Sequence, residues 1–304
     1  MKQFFPEHYR LECRNRSLDL SKRPAIMGIL NLTPDSFSDG GRFENQEKET
    51  DIDSAVEHAL RMKAEGASII DIGGESTRPG SEKITARTEI LRTVPVISKL
   101  RKESNVLISI DTYKAEVAEA ALKAGAQIVN DISGFTFDDL LPDICRKYQA
   151  AVVLMHTPVT PQTMKWSTET ANAGTDITVT IHKFLRQAIL RAQNAGVHNI
   201  LIDPGFGFGK SVEENFRILE NLSYLLDLGY PLLCGLSKKS FLGYAIKNGE
   251  EPDIPPGERH DATTAAQTIA LLNGASVIRA HDVKAAAHAI SIVESMKKSL
   301  IKRH

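Results

Sequence analysis

Polar and charged residues follow many of the short apolar runs of this chain, at the point where each run ends. They are Asn31, Asp71, Asp111, Asn130, Asp131, His156, Asp203, Arg279, His281 and Asp282. A single aspartate in such a position is most often a helix N-cap. Capping does not readily account for a feature shared by seven strand ends, and in a barrel of parallel strands these positions meet at one mouth. The pattern therefore predicts one active site built from several strand ends.

The segment Asp203–Lys210 combines glycines with two aromatic residues, Phe206 and Phe208. The glycines would let the backbone approach a flat ligand, and either ring could stack on it. The segment is not a P-loop, because that motif needs glycine at the position of Pro204. A tight strand-to-helix turn without a ligand remains the alternative interpretation.

Two cationic groups follow the last two apolar runs. The segment around Ser237 lacks the second glycine of a nucleophile elbow. Ser237 is therefore expected to donate a hydrogen bond rather than to attack a substrate. Lys238 and Lys239 beside it suit an anion or a carbonyl oxygen, although a solvated basic turn is equally compatible. Arg279 and His281 lie where barrels often bind phosphate, and arginine offers a bidentate clamp for phosphate oxygens.

Two further segments have the composition of mobile covers over a site. Gly73–Gly80 is polar and glycine-rich and carries Arg78, and Asn31–Thr50 mixes glycines and polar groups with Phe37. Lids are built from such segments, although a plain surface loop is the simpler interpretation of each.

The elements that position these residues alternate between short apolar runs and longer amphipathic ones. The predicted strands are Ala25–Leu30, Ser68–Ile72, Val106–Ile110, Gln127–Val129, Ala151–Met155, Asn199–Ile202, Pro231–Cys234 and Ser276–Ile278. The predicted helices are Asp51–Glu65, Arg87–Lys102, Lys114–Lys123, Asp138–Tyr148, Asp176–Asn194, Val212–Asp227, Arg259–Leu272 and Val283–Met296. Continuous apolar runs of four to six residues are typical of parallel strands buried on both faces.

Eight βα units in one series predict an α/β protein with a (β/α)8 TIM barrel as its single catalytic domain, residues 25–304. Residues 1–24 are expected to be an extension that packs on the bottom of the barrel. A doubly wound open sheet is the alternative. It usually carries a glycine-rich turn after its first strand, where this chain has Asn31-Leu32-Thr33-Pro34.

The composition limits the classes of protein to consider. The 37 basic and 38 acidic residues nearly balance, so no overall charge attracts nucleic acid or an anionic membrane. Cys13, Cys145 and Cys234 lie far apart, which argues against a disulfide framework or a zinc site. The first residues do not resemble a signal peptide, and no run approaches the roughly 18 apolar residues of a membrane span. These features predict a cytoplasmic protein.

The motifs taken together resemble dihydropteroate synthase along almost the whole chain. The matching segments are Met27–Gly41, Asp71–Gly80, Ser109–Thr112, Asn130–Asp131, Met155–His156, Asp203–Lys210, Gly235–Ser240 and Arg279–Val283. The family joins 7,8-dihydropterin-6-ylmethyl diphosphate to para-aminobenzoate in folate biosynthesis and releases pyrophosphate. It is also the target of sulfonamides. The resemblance implies that the diphosphate departs first and that the arylamine then adds to the pterin cation.

The resemblance also implies roles for individual residues. The pterin would contact Asp111, Asn130, Ile132, Met155, Asp203, Phe208, Gly235 and Lys239. The diphosphate would contact Asn31, Thr77, Arg279 and His281, with Asn31 as the protein ligand of a Mg2+ ion. Para-aminobenzoate would contact Phe37, Thr77, Arg78, Pro79 and Ser237. The catalytic residues would be Asp111, Asp203, Lys239, Arg279 and His281. Family members are commonly homodimers.

Three positions depart from the usual pattern of the family. Lys238 replaces an arginine, Thr157-Pro158-Val159 replaces Met-Gln-Gly, and Ala262 replaces a glycine. Two other hypotheses compete with the synthase: a paralogue that binds a pterin without turnover, and a pterin-dependent methyltransferase that works with cobalamin. Retention of Asn31, Thr77, Arg78, Arg279 and His281 favours the synthase, because binding a pterin alone requires none of them.

Overall fold

Eight parallel strands close into a barrel in the computed structural model, which describes residues 9–14, 16–33, 51–247 and 253–301. The barrel strands are β3 (Ala25–Asn31), β4 (Ile69–Gly73), β5 (Leu107–Asp111), β6 (Ile128–Asp131), β7 (Ala151–Met155), β8 (Ile200–Asp203), β9 (Leu232–Cys234) and β10 (Ala275–Ala280). Neighbours in sequence are neighbours in the barrel, and β10 pairs with β3 to close it. The predicted (β/α)8 barrel is confirmed, and the open-sheet alternative is excluded.

Helices surround this barrel. They are α1 (Ile52–Ala64), α2 (Ala86–Glu103), α3 (Ala115–Ala124), α4 (Leu141–Lys147), α5 (Ile177–Asn194), α6 (Val212–Glu220), α7 (Ser240–Ile246), α8 (His260–Leu272) and α9 (Val283–Ile301). The prediction of one helix over Val212–Asp227 is wrong, because α6 ends at Glu220 and a 3-10 helix, Leu222–Leu228, follows. Helix α7 was not predicted. It spans only two turns, too short for a clear helical periodicity.

The barrel strands bury both of their faces, which explains their uninterrupted apolar sequences. Met27 and Ile69 point into the barrel and pack with Leu107 and Leu201. Their neighbours, such as Ile26 and Ile70, belong to the larger core between the strands and the helices. Side chains therefore alternate between an inner and an outer set, except at the irregularity between Ala275 and Val277 in β10.

A short antiparallel hairpin precedes the barrel and was not predicted as such. Its strands are β1 (Arg10–Cys13) and β2 (Arg16–Asp19). Leu11, Cys13 and Leu20 are fully buried against the inner residues at the amino ends of the barrel strands. The Tyr9 hydroxyl donates to the carbonyl oxygen of Ile200 over 2.6 Å. These contacts join the hairpin to the end of the barrel opposite the predicted site.

No helix in the described parts of the chain is both long enough and apolar enough to cross a membrane.

Candidate active site at the barrel mouth

A cavity of about 550 Å³ opens at the carboxyl ends of the barrel strands. The predicted site residues that line it are Asn31, Thr77, Arg78, Pro79, Asp111, Asn130, Ile132, Met155, Asp203, Phe208, Gly235, Ser237, Lys239, Arg279 and His281. The remaining predicted residue, Phe37, lies outside the described residues. The predicted convergence of strand ends is thus confirmed as geometry, while the role of each side chain remains a prediction.

Besides Asp71, three polar residues at strand ends do not line this cavity. Asp131 accepts hydrogen bonds from the backbone of Ser133 and Phe135, and Asp282 accepts one from Ala285 at the start of α9. His156 is buried against the edge of Phe184, and burial lowers its pKa to about 2. The two aspartates therefore have the backbone-capping role that such residues most often have.

The floor of the cavity is an ion-pair network centred on Arg279. Its Nε donates to Asp71 Oδ2 over 2.7 Å, and its Nη2 donates to Asp111 Oδ2 over 2.6 Å. The amide of Asn130 donates to the same oxygen of Asp71 over 2.9 Å. Burial raises the pKa of Asp111, although the charge of Arg279 acts in the opposite direction. Asp71 is fully buried and touches no part of the cavity, so it positions Arg279 and Asn130 from below.

Asp203 ends β8 with one carboxylate oxygen engaged and the other facing open space. Its Oδ1 accepts from the backbone N–H of Gly205 over 2.7 Å. Beside its Oδ2 lies Gly235, and even an added Cβ there would remain 4.0 Å away. Burial raises the pKa of Asp203 to about 6, so the group is largely ionised at neutral pH. A ligand with an N–H edge could pair with this oxygen.

The ammonium group of Lys239 lies 4.2 Å from the centre of the Phe208 ring. Burial, together with Arg279, lowers the pKa of Lys239 to about 8. The cation and the ring form one side of the cavity, which suits a flat polar ligand stacked beside a positive charge.

Lys210 does not line the cavity but fixes the loop that carries Phe208. Its fully buried Nζ donates to the carbonyl oxygens of Gly205, Phe208 and His156, over 2.7, 3.0 and 3.2 Å. Gly205 has a φ of +72°, and a Cβ there would lie 2.1 Å from the carbonyl oxygen of His156. The glycines of this segment therefore serve a tight turn as well as the ligand surface.

At the rim, Ser237 and His281 form a hydrogen-bonded pair. The Ser237 hydroxyl lies 2.9 Å from His281 Nδ1 and accepts from the backbone N–H of His281 over 3.3 Å. Burial, reinforced by Lys238 and Arg279, lowers the pKa of His281 to about 3, so the free imidazole is neutral. If Ser237 donates to Nδ1, the imidazole presents Nε2–H as a donor.

The loop with Thr77, Arg78 and Pro79 is anchored at its base by a buried charge cluster. Lys114 forms ion pairs with Glu75 and with Glu89, the latter over 2.7 Å, and the hydroxyl of Tyr113 donates to Glu75 over 3.1 Å. Arg78, beyond this anchor, is exposed. The cluster fixes where the loop begins and leaves its tip over the cavity.

Several residues around the cavity were not predicted. Met164 and Trp166 come from the long loop after β7, and Arg259 from the start of α8. Arg259 donates to the carbonyl oxygens of Ile254 and Lys238 over 2.7 and 2.8 Å, which fixes the segment with the two lysines. Trp166 is the only tryptophan of the chain, and its place in a long loop was a usable signal.

The departures from the family pattern lie around the cavity rather than on its floor. A Cβ on Gly209 would come within 3.0 Å of Pro158 and Val159, so these residues pack on the loop that carries Phe208. Lys238 lines the cavity and adopts a φ of +60°. Among the described residues, the hydrogen bonds and ion pairs of Asp111, Asp203 and Arg279 involve neither Lys238 nor residues 157–159.

Asn31 is the one predicted metal ligand. Its amide oxygen is a hard donor of the kind that Mg2+ accepts. Among the described residues, no group of three or more histidine, cysteine or acidic side chains could hold a metal ion without further ligands. Asn31 could therefore supply one ligand to a Mg2+ ion whose other ligands come from a bound molecule and water.

The chemistry of this cavity follows from its layers. Carboxylates lie at the floor together with Arg279, Lys239 and the Phe208 ring form one side, and the Ser237–His281 pair lies nearer the opening with the exposed Arg78. Such a site can bind a flat, donor-rich ring in its depth and stabilise negative charge that develops near its opening.

Comparison with known proteins shows the family to which the chain is similar. Residues 27–281 match the family described as pterin binding enzyme. A dihydropteroate synthase of Synechocystis sp. is 42% identical over 280 residues, which cover 91% of this chain and 92% of that protein. Two solved structures are also similar. Yersinia pestis dihydropteroate synthase with a sulfonamide drug has a TM-score of 0.85 at 39% identity, covering 95% of this chain and 100% of that one. The Xanthomonas albilineans enzyme with 7,8-dihydropteroate has a TM-score of 0.80 at 36% identity, covering 95% and 99%.

Proposed function

The chain belongs to the dihydropteroate synthases of the pterin-binding enzyme family, and we propose that the cavity at its barrel mouth is where this reaction takes place. The reaction condenses 7,8-dihydropterin-6-ylmethyl diphosphate with para-aminobenzoate, giving 7,8-dihydropteroate and pyrophosphate in folate biosynthesis. The observation that supports this placement best is that Asp111, Asp203, Lys239 and Arg279 all face one cavity.

The pterin ring is proposed to lie on the floor of the cavity. Its N–H edge offers only donors, and the open oxygens of Asp111 and Asp203 with the amide oxygen of Asn130 are acceptors. Lys239 would donate to the ring carbonyl and ring nitrogen, with Phe208 packed against the ring. Met155, Ile132 and Gly235 complete the pocket that we assign to the pterin.

The diphosphate is proposed to lie between the floor and the rim, within reach of Arg279 and His281, with Thr77 and Asn31 also facing the cavity. Arg279 already binds two carboxylates, which fixes its guanidinium before the leaving group develops charge. Such a preorganised cation stabilises the departing anion, while the carboxylates below balance the pterin cation. A Mg2+ ion bound by the diphosphate and Asn31 would supply further charge neutralisation.

Para-aminobenzoate is proposed to enter last, with its carboxylate at Ser237 and its ring near Thr77, Arg78 and Pro79. A Ser237 hydroxyl that donates to this carboxylate cannot also donate to His281 Nδ1. Ser237 can donate to the carboxylate while His281 donates to the diphosphate only if His281 is protonated. Its Nδ1–H then donates to Ser237, and its Nε2–H donates to the diphosphate. Sulfonamides are proposed to occupy the same arylamine position.

The experiment that tests the function measures pyrophosphate release by the purified protein with each substrate alone and with both. Release is expected only when both substrates are present, since the arylamine must capture the pterin cation. Folded protein that binds the pterin and releases no pyrophosphate would instead support the non-catalytic paralogue.

Arg78→Ala is expected to lower turnover by roughly tenfold or more while the dissociation constant of the pterin changes little. The reason is that Arg78 lies on the exposed tip of its loop, away from the floor where the pterin is assigned. Steady-state kinetics and calorimetric pterin titration separate the two effects. Arg87→Ala, on the first turn of α2, is a control for loss of charge nearby. A large loss of pterin affinity in Arg78→Ala would contradict the assignment of this loop to the arylamine.

Pterin affinity is expected to pass through a maximum between about pH 6 and pH 8. Asp203 must be ionised to accept from the ring, so affinity falls as the pH drops through its pKa of about 6. Lys239 must be protonated to donate, so affinity falls as the pH rises through its pKa of about 8. Dissociation constants measured from about pH 5 to about pH 9 check this. A flat profile would show that neither group contacts the ring in the required state.

We also propose that the enzyme is a homodimer that acts in the cytoplasm. The outer faces of α8 and α9 expose Ile269 and Ile292, at 45% and 67% of their surface, and a second copy of the chain could cover them. Light scattering of the purified protein tests the dimer.

A further inference from the structure

A second cavity lies at the opposite end of the barrel, beside the N-terminal hairpin. It has a volume of about 470 Å³ and is lined by Arg14, Arg16, Arg101, Gly125, Gln127 and Gln149. We call it the basal cavity. Its volume is within the range of roughly 300–1,000 Å³ that is usual for small-molecule sites. Neither the synthase reaction nor the site proposed for it uses any of these residues.

The three arginines of the basal cavity are held by neutral groups. Arg14 donates to the carbonyl oxygen of Leu122 over 2.9 Å, Arg16 to that of Asn105 and Arg101 to that of Val106. Ion pairs within the described part of the chain involve none of the three. Carbonyl oxygens fix the directions of the guanidinium groups without neutralising their positive charges.

Arg101 has more hydrogen-bond donors than the described residues around it have acceptors for them. Its Nε and Nη1 are buried and have no acceptor among the residues that the structure describes. Buried N–H groups without a partner are rare in folded proteins, and each calls for an explanation. Burial lowers the pKa of Arg101, and the positive charge of Arg16, which lines the same cavity, acts in the same direction.

The backbone around the basal cavity is adapted to this arrangement. Gly125 has a φ of +119°, and a Cβ there would lie 2.8 Å from Arg101 Cγ, so the glycine makes room for the arginine. Arg14 and Gln149 adopt φ values of +57° and +51°. Left-handed backbone is unfavourable for residues other than glycine, and such strain is concentrated at functional sites.

The polar side chains of this cavity are mainly hydrogen-bond donors. Gln127 uses its amide oxygen to accept from the backbone N–H of Ile108 over 3.0 Å, which leaves its NH2 group for other contacts. A ligand complementary to three guanidinium groups and an amide donor must carry several strong acceptors and negative charge. Phosphate has this chemistry, and arginine binds it in a bidentate manner.

We propose that the basal cavity binds a small molecule that carries phosphate groups and links the hairpin to the barrel. The volume exceeds what a single phosphate group fills, so the ligand class is a phosphate ester or a polyphosphate. Arg14 and Arg16 come from the hairpin, whereas Arg101 and Gln127 come from the barrel layer. Binding would therefore also hold these two parts of the chain together.

The test uses ATP without Mg2+ as a polyphosphate ester, inorganic tripolyphosphate as the bare anion, and adenosine as the phosphate-free probe. In calorimetric titrations, both phosphate probes are expected to bind to the protein, and adenosine is expected not to bind. If ATP binds more tightly than tripolyphosphate the ligand is an ester, and the reverse order identifies a polyphosphate. Arg14→Gln with Arg16→Gln should weaken binding of the phosphate probes by roughly tenfold or more. The charge-matched control, Arg10→Gln with Arg23→Gln, changes two exposed arginines outside the cavity and should bind as the wild type does.

A second readout separates this site from one at the barrel mouth. ATP should raise the Tm of the wild type and of the control by about 2 °C or more, and should leave the Tm of the Arg14→Gln, Arg16→Gln protein unchanged. If that double variant does not fold, Arg101→Met provides the same comparison. Unchanged affinity in the cavity variant, or equal binding of adenosine and ATP, would overturn the proposal.

Discussion

Replacing Asp203 by asparagine is expected to weaken pterin binding by roughly ten- to a hundredfold without lowering the stability of the protein. One carboxylate oxygen of Asp203 holds the N–H of Gly205, and an asparagine oxygen can keep that hydrogen bond. The other position would then carry an NH2 group facing the donors of the pterin ring. The asparagine NH2 and the N–H edge of the pterin are both donors, so in this buried site both groups would lack a hydrogen-bond partner.

The stability part of this prediction follows from the pKa of Asp203. Burial raises it to about 6 from an ordinary value of 3.8. A carboxyl whose folded-state pKa is raised contributes stability that is fully present below the unfolded pKa and is lost as the pH rises through the folded pKa. At about pH 8 the ionised group thus destabilises the fold, and its removal should leave Tm unchanged or higher.

Calorimetric titration with a pterin and thermal unfolding at the same pH measure the two effects. Asp282→Asn is a matched control, because that aspartate also follows a barrel strand but caps α9 outside the cavity. Wild-type pterin affinity in Asp203→Asn would refute the pocket assignment. A fall in Tm together with lost binding would indicate that Asp203 mainly supports the loop after β8.

Once one inner residue of a strand is known, the sequence alone tells whether an aspartate at the end of that strand, such as Asp203 or Asp131, points into the barrel or out of it. Inner and outer side chains alternate along each strand, so the inward set can be counted from one inner residue. Starting at Leu201 in β8, the count reaches Asp203 as an inner residue. Starting at Ile128 in β6, it reaches Asn130 and makes Asp131 an outer residue. The same count places His156 outside the barrel, where its contact with Phe184 is found.

Other features could not be obtained from local patterns. Glu75, Glu89 and Lys114 come from three different elements and meet only because the barrel brings those elements together. Their spacing of 39 and 25 residues to the lysine has no periodic signal. By contrast, the hairpin was missed although Arg10-Leu11-Glu12-Cys13 alternates polar and apolar residues. Strands of four residues with charges on one face are weak signals without a known partner.

For Asp71, the sequence predicts a position at a strand end but not the residues that it contacts. It stands at a strand end like the proposed catalytic residues, yet it contacts Arg279 and Asn130 rather than the cavity. Arg279 lies 208 residues away in the sequence. Arg279 thus holds two buried acids together, in addition to the role that we propose for it toward the leaving group.

Arg279→Met is therefore expected to abolish turnover and also to destabilise the fold by about 3–5 kcal/mol, since removing one partner of a buried ion pair leaves an uncompensated charge. Asp71 and Asp111 would share the barrel interior without the cation that now contacts both. The pKa of Asp111, which burial already raises, would rise further. By the same linkage, the stability of the variant should be greatest at low pH and decrease as the pH rises.

A second substitution separates the two functions of Arg279. Arg279→Met with Asp71→Asn removes one of the competing acids and should recover a large part of the lost stability at about pH 8, whereas turnover should remain absent. Urea unfolding at about pH 5 and about pH 8 measures the first effect, and pyrophosphate release measures the second. Equal destabilisation of the single variant at both pH values would contradict the ion-pair argument. Recovery of turnover in the double variant would show that Arg279 acts only through the acids, and the stabilisation of the leaving diphosphate would then have to come from His281, Thr77 and the proposed Mg2+ ion.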